Sequence, residues 1–231
     1  MRARRLAAAG AGTAALLGAG WVGATWLRYG KPWAQDRRAD PLLDRFMPAY
    51  EVRERHQTFV GAPAQATWQA ARGLDLHRSP LIRAIFRGRE LLMGGTPADT
   101  RPHQDFLTEV LALGWRVLAE EPGQALVMGA VTQPWRADVV FRGLPPEEFA
   151  AFAEPGYVKI VWNLVVTPLG ARRSVFSTET RVATTDADAR RRFRRYWSLM
   201  SPGILLIRRE SLRLVRREAE RRQTAWHPRP T

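Results

Sequence analysis

The sequence predicts an α+β fold, with a set of antiparallel strands lying beside one long carboxy-terminal helix. Three observations carry that expectation. Residues 51–60 (EVRERHQTFV) alternate roughly in polarity and stop at Gly61-Ala62-Pro63. Later β-rich runs meet at two turn signals, Pro122-Gly123 and Pro168-Leu169-Gly170-Ala171. Finally, Phe193, Trp197, Met200, Ile204, Ile207, Ser211, Val215 and Ala219 recur at spacings of three and four, the period of a helix with one apolar face. A strand, then helices, then a series of strands, then a final helix is an α+β order.

The elements follow in turn. Residues 51–60 read as a strand with one solvated face. Pro63 suits the first turn of a helix reaching about Arg72 through Trp68, because proline's missing N–H is not needed there. Leu81, Ile82, Ile85, Phe86 and Leu92 predict a helix over Pro80–Met93, and Phe106–Leu113 predicts another. Trp115–Glu120 and Ala125–Thr132 form a hairpin about Pro122-Gly123, and Trp135–Phe141 reads as a further strand. Pro145-Pro146-Glu147-Glu148 opens a short helix with acids at its positive end. Tyr157–Thr167 and Ser174–Thr184 make the second hairpin; Ile160, Trp162, Leu164 and Val166 share one face, and Lys159, Val161, Asn163 and Val165 the other. Asp186 caps the last helix. Ser201-Pro202-Gly203 predicts a kink or restart within it, with Ser201 as a new cap, since Pro202 removes one internal hydrogen bond.

The 231 residues suit one domain with an appendage, and 45% hydrophobic with 25% charged residues excludes wholesale disorder. With no cysteine, disulfides, thiolate metal sites and thiol catalysis are excluded. The net charge of +14 resolves into +6 over residues 1–38, zero over 39–185 and +8 over 186–231. A neutral fold-forming middle argues against a nucleic-acid partner, and the basic ends point instead to a membrane surface.

At the amino terminus, Arg2, Arg4 and Arg5 precede an uncharged run from Leu6 to Leu27, closed by Arg28 and Lys31. As a helix these 22 residues would span about 33 Å, enough for a bilayer core. A signal-anchor helix, a signal peptide cleaved near Val22-Gly23-Ala24 and an alanine-rich soluble helix are all open; the first is preferred, with the protein membrane-associated in undecided orientation, or secreted if cleaved. Residues 1–27 are thus the anchor or signal, 28–49 a proline-punctuated linker with a possible turn at Leu42–Phe46, 50–222 the folded domain and 223–231 a tail.

Several stretches in the domain carry a resemblance. They are the opening strand with Gly61-Ala62-Pro63 and its Trp-containing helix, Leu74-Asp75-Leu76, Ser79-Pro80-Leu81-Ile82-Arg83, residues 118–123 (LAEEPG), residues 177–182 (STETRV) and residues 188–197 (DARRRFRRYW). Over residues 50–222 the chain resembles the START/birch-allergen-like (SRPBCC) superfamily, within a bacterial subgroup of the polyketide cyclase/dehydrase and lipid-transport type. The resemblance implies a helix-grip fold, a curved antiparallel sheet wrapped around the terminal helix with an internal pocket for an apolar ligand. Members bind lipids, sterols, quinones or polyketides, and some transform them; the fold alone does not choose.

Candidate chemistry is sparse. His56, His77, His103 and His227 lie in different elements without metal-ligand spacing, so no metal is expected, and no nucleotide-loop, zinc-protease or serine-hydrolase motif occurs, so no cofactor is expected either. Glu179 and Arg181 share a strand face, and burial decides between a solvated charge cluster and a catalytic pair. His56 is open to the same question. Trp115, Trp135, Phe141, Tyr157, Trp162, Phe176 and Trp197 fall on the predicted strands and final helix, where they would line the pocket, with Arg136 and Asn163 as candidates to orient a ligand's polar end.

The leading expectation is therefore a membrane-tethered protein that binds or transports a hydrophobic small molecule (a lipid or isoprenoid) without catalysis. The alternatives are a polyketide cyclase/dehydrase-type enzyme using polar pocket residues, and an accessory protein whose pocket is vestigial.

Overall fold

The computed structural model describes residues 18–29, 40–76, 79–93 and 106–226. Their elements are α1 (residues 18–28), α2 (Pro41–Asp44), β1 (Val52–Val60), α3 (Ala64–Arg72), α4 (Pro80–Met93), α5 (Phe106–Ala112), β2 (Arg116–Glu121), β3 (Ala125–Thr132), β4 (Phe141–Arg142), α6 (Pro146–Ala151), β5 (Val158–Pro168), β6 (Ser174–Thr184) and α7 (Ala187–Trp226). The strands form one antiparallel sheet in the order β1-β6-β5-β3-β2, with β4 paired to β3. This curved sheet grips α7, which packs on β1, β6, α3 and α4. The fold is the helix grip.

Strand alternation sorts the side chains. The inner face, toward α7, carries Ile160, Trp162, Leu164 and Val166 from β5 and Phe176 and Val182 from β6. At one end of this face Trp68, Leu126, Met128 and Trp162 meet Leu212, Val215 and Ala219 of α7. At the other, Val52, Val158 and Val182 meet Phe193 and Trp197. The outer face is also covered: Leu43, Phe46 and Met47 join Phe149 of α6 over Val127, Val131 and Val161. With apolar layers on both sides, every residue of β3 is buried.

α7 begins as expected. Asp186 Oδ1 accepts from the Asp188 and Ala189 amides at 2.7 and 2.9 Å, and Oδ2 accepts from the Gly156 amide, tying the helix start to the loop before β5. The Ala189 amide first, then the Gly156 amide, hold the Asp186 carboxyl below its ordinary value. Stability from this cap is present above the unfolded-state pKa and lost as pH falls through the lowered one. Asp186→Asn is expected to lower Tm at neutral pH, and its Tm difference from the native protein should close in acid; thermal melts between pH 7 and 3 measure both.

Two expectations are corrected here. Trp135 is not in a strand: Pro134 begins a turned segment, with the Arg136 amide donating to Gln133 O, and the chain regains the sheet only at Phe141. Pro lacks the N–H a ladder needs, which keeps residues 134–140 out of it. Nor does Pro202 restart α7. The helix runs through it for 40 residues, and Ser201 Oγ accepts from Trp21 Nε1 at 3.2 Å instead of forming a cap. Packing against neighbours on both sides of the proline outweighs the one hydrogen bond it removes.

The membrane expectations are corrected as well. No helix among the described residues is long and apolar enough to cross a membrane. Residues 1–17 of the expected anchor lie outside the described residues; 18–28 form α1, about 17 Å long, against a bilayer core of about 30 Å. α1 packs on α7. Arg194 Nε donates to Trp26 O at 3.0 Å with its guanidinium 4.1 Å from the Trp26 ring centroid, and buried Tyr29 lies 6.0 Å from the Phe193 ring. Trp26 O and Trp21 Nε1 find their partners on α7, and no described helix can span a bilayer, so the transmembrane-helix, signal and membrane-localisation readings are corrected.

Candidate functional site

Two polar clusters lie on opposite faces of the sheet. The first is on the outer face, where Arg181 Nη2 is left without a partner. Arg53 grips Glu179 with two 2.8 Å bonds, Nε to Oε1 and Nη2 to Oε2, and Arg181 Nε donates to Glu179 Oε1 at 2.8 Å. Arg181 Nη1 reaches Asp44 and Met47 O, and its guanidinium lies 4.7 Å from the Tyr50 ring centroid. Opposite Glu179, Asn163 accepts from the Glu179 amide at 2.6 Å and donates to Asp40 Oδ2 at 2.7 Å, while Asp40 Oδ1 caps α2. Burial works against the Arg181 charge; Glu179 and Asp44 outweigh it and hold the guanidinium above its ordinary value. Glu179 and Arg181 are buried, as a catalytic pair would require, but beneath the residue 40–50 segment and away from α7. They fasten that segment to the sheet.

The second cluster is on the inner face. Val52 and Val60, the ends of β1, both belong to the apolar core facing α7, so Glu54, His56 and Thr58 between them share that face. In register, Glu54 opposes Thr180 and His56 opposes Thr178 on β6. From α7, Arg208 donates through Nη2 to Thr180 Oγ1. His56 Nε2 lies 3.6 Å from Glu54 Oε2, beyond hydrogen-bonding distance, and the two side chains are 18% and 22% exposed. Both His56 Nε2 and Arg208 Nε are enclosed and have no hydrogen-bond partner. Burial pushes the Arg208 pKa down to about 10, with Glu54 opposing, so the guanidinium remains a cation at neutral pH.

The inner face is therefore graded. The β1/β6 edge carries Glu54, His56, Thr58, Thr178 and Thr180; the next strand inward carries Trp162, level with Thr180, and Leu164. An imidazole, a carboxylate and a desolvated cation beside a flat apolar wall can move a proton and stabilise an oxyanion.

The aromatic residues proposed from the sequence divide. Phe106, Trp162, Trp115 and Phe141 form a chain of rings with centroid separations of 5.5, 5.9 and 5.0 Å, and Phe176 belongs to the same inner-face core as Trp162. Trp135 and Trp197 lie in the cluster at the other end of that face. Tyr157 packs edge-on to Phe152 at 5.7 Å, with Arg142 5.2 Å from its ring centroid. Arg136 is exposed in its turn and Asn163 faces outward. His77, His103 and His227 lie outside the described residues.

Sequence reasoning passed over Glu54, Thr178, Thr180 and Arg208. The signal was available for β1: polar residues at alternate positions, framed by Val52 and Val60, share the core-facing side. Arg208 has one too, four residues beyond Ile204 and four before Leu212 on α7.

No family model and no curated protein matches this chain. Solved structures with some likeness include a hypothetical protein from Helicobacter pylori (8% identity, TM-score 0.38, 81% of this chain and 99% of that one). Others are the ZhuI aromatase/cyclase from Streptomyces sp. R1128 (15%, 0.28, 76% and 98%) and norcoclaurine synthase from Thalictrum flavum (10%, 0.33, 86% and 100%). At such identities and scores these likenesses carry no argument about family or function.

The expectation of a non-catalytic, membrane-tethered carrier is overturned. The sheet–helix interface holds the enclosed nitrogens of His56 and Arg208 beside Glu54, a buried polar cluster that favours the enzyme alternative. Its tether is absent from the described helices.

Proposed function

We propose that the protein is an acid–base enzyme of the polyketide cyclase/dehydrase type, acting on a ketone held in the seam between β1, β6 and α7. The observation that carries this reading is the pair of enclosed, unpartnered nitrogens, His56 Nε2 and Arg208 Nε, contributed from the two walls of that seam.

Neutral His56, with its proton on Nδ1, takes a proton from the carbon beside the substrate carbonyl through Nε2. The electron pair of that C–H bond moves to the carbonyl oxygen, and the Arg208 cation stabilises the resulting enolate. The imidazolium gains Glu54 as an ion-pair partner at the distance already present, 3.6 Å. In a cyclisation the enolate carbon then bonds to a second carbonyl carbon. His56 returns the proton to the oxygen formed there, leaving an alcohol; in a dehydration His56 then takes a second proton from the carbon beside the carbonyl and delivers it to that hydroxyl, which departs as water as the C=C bond forms. Trp162 and Phe176 supply the flat apolar surface beside these groups, and Trp115 and Phe141 extend it. Membership of the bacterial subgroup is part of the proposal and rests on the sequence stretches alone.

Acetophenone in D2O tests the reaction without knowledge of the natural substrate. Proton NMR is expected to record saturable exchange of its methyl protons above the buffer rate. Exchange at the buffer rate across the concentration range overturns the proposal.

A further inference from the structure

The seam that holds His56 and Arg208 continues to a second feature. At the far end of β1, an open groove of about 530 Å³ is lined by Phe59, Val60 and Leu169 on its apolar side and by Arg173, Arg216 and Glu220 on its charged side. Phe59 is 70% exposed and Leu169 48%. The Gly61 amide donates to Glu220 Oε1 at 3.0 Å, so that carboxylate is engaged by backbone. Neither Arg173 nor Arg216 has an acidic partner among the described residues, unlike Arg213, Arg221 and Arg222 on the same helix.

β1 and α7 run in the same direction along this seam. Arg208 bonds Thr180, which is level with Glu54 at one end, and Glu220 bonds Gly61 at the other. From His56 to Val60 is four strand residues, about 13 Å. From Arg208 to Arg216 is eight helix residues, about 12 Å. The groove and the acid–base cluster are thus separated by the same distance on both walls.

We infer that the groove is an anion subsite: Arg173 and Arg216 receive a carboxylate or phosphate at one end of the substrate, while Phe59, Val60 and Leu169 cover the chain leading from it to a carbonyl about 12 Å away. The substrate class is then an acidic amphiphile with its reactive ketone at the other end. The inference rests on the acid–base reading of His56 and Arg208 for the identity of that second group, and on the groove alone for the anion.

The probes are aryl alkyl ketones whose chain ends about 12 Å from the carbonyl in a carboxylate, a phosphate or a neutral methyl ester. Exchange of the protons beside the carbonyl gives KM and kcat, and calorimetry gives Kd independently of turnover. The acid forms are expected to show KM and Kd at least about tenfold below those of the ester, an advantage that shrinks with added salt. Arg216→Gln and Arg173→Gln are each expected to reduce that advantage severalfold. The better of the carboxylate and phosphate forms identifies the anion. Equal values for acid and ester, or an advantage untouched by both substitutions, overturns the subsite even where exchange itself is catalysed. Tight, Arg216-dependent binding of the acid without exchange supports the subsite and removes the acid–base reading.

Discussion

His56→Gln lowers the protein-dependent exchange of acetophenone methyl protons by about 10²–10⁴-fold, the range that a positioned general base contributes. Glutamine keeps much of the imidazole's size and polarity but has no lone pair basic enough to take the proton. The side chain is 18% exposed, so the substitution leaves no unpaired charge in a closed core and the variant should fold. His56→Ala adds a readout that a merely structural role would not move: free imidazole restores part of its rate. Loss of activity in both variants without rescue, accompanied by a matching loss of folded protein, would assign His56 to stability instead.

Glu179→Ala has the largest expected effect on stability, a loss of about 3–5 kcal/mol, the usual cost of breaking a buried ion pair from one side. Glu179 is 2% exposed and receives the Arg53 fork and Arg181 Nε; Arg181 is fully buried and would keep only Asp44 as an acidic partner, itself 37% exposed. Arg181→Met is expected to cost less, because Glu179 retains both bonds from Arg53 and methionine fills part of the vacated volume. Urea denaturation of the two variants beside the native protein checks the order. Equal midpoints for Glu179→Ala and the native protein would contradict the fastening role.

Most of the architecture was legible because it is periodic. The helix over Pro80–Met93 and the strand over Ser174–Thr184 match their expected bounds, and the α7 stripe placed Phe193, Trp197, Val215 and Ala219 in the core. What escaped depends on contacts between distant residues. The turn expected at Leu42–Phe46 forms as α2, but its seat on the sheet has no periodic signal: it is held by Asn163, 123 residues from Asp40, and by Arg181, 137 residues from Asp44. A run of prolines and charges over residues 32–48 therefore read as linker, although residues 40–49 fold back over the sheet. The amino-terminal run read as an anchor because hydropathy does not reveal that Arg194 and Ser201 provide partners for Trp26 and Trp21.

The site was half legible for the same reason. Aromatic residues stand out in a composition, so Trp162 and Phe176 were singled out; the polar partners of a site on an edge strand do not. Glu54 and His56 sit in a strand whose two faces are both polar in sequence, and only the valines at its ends reveal which face meets the helix. Glu179 and Arg181 drew attention as a charged pair, yet odd-numbered positions of β6 face away from α7, and strand parity alone separates them from Thr178 and Thr180.

The central claim is that acid–base chemistry belongs to the inner-face cluster and that the buried charges of the outer face are structural. The direct test is kcat/KM for acetophenone exchange per folded molecule, measured side by side for His56→Gln and Arg181→Met. A fall of at least about 100-fold for His56→Gln, with Arg181→Met within about twofold of the native protein, is the predicted result. The reverse order, with exchange lost on removing Arg181 and kept on removing the imidazole, would contradict the account.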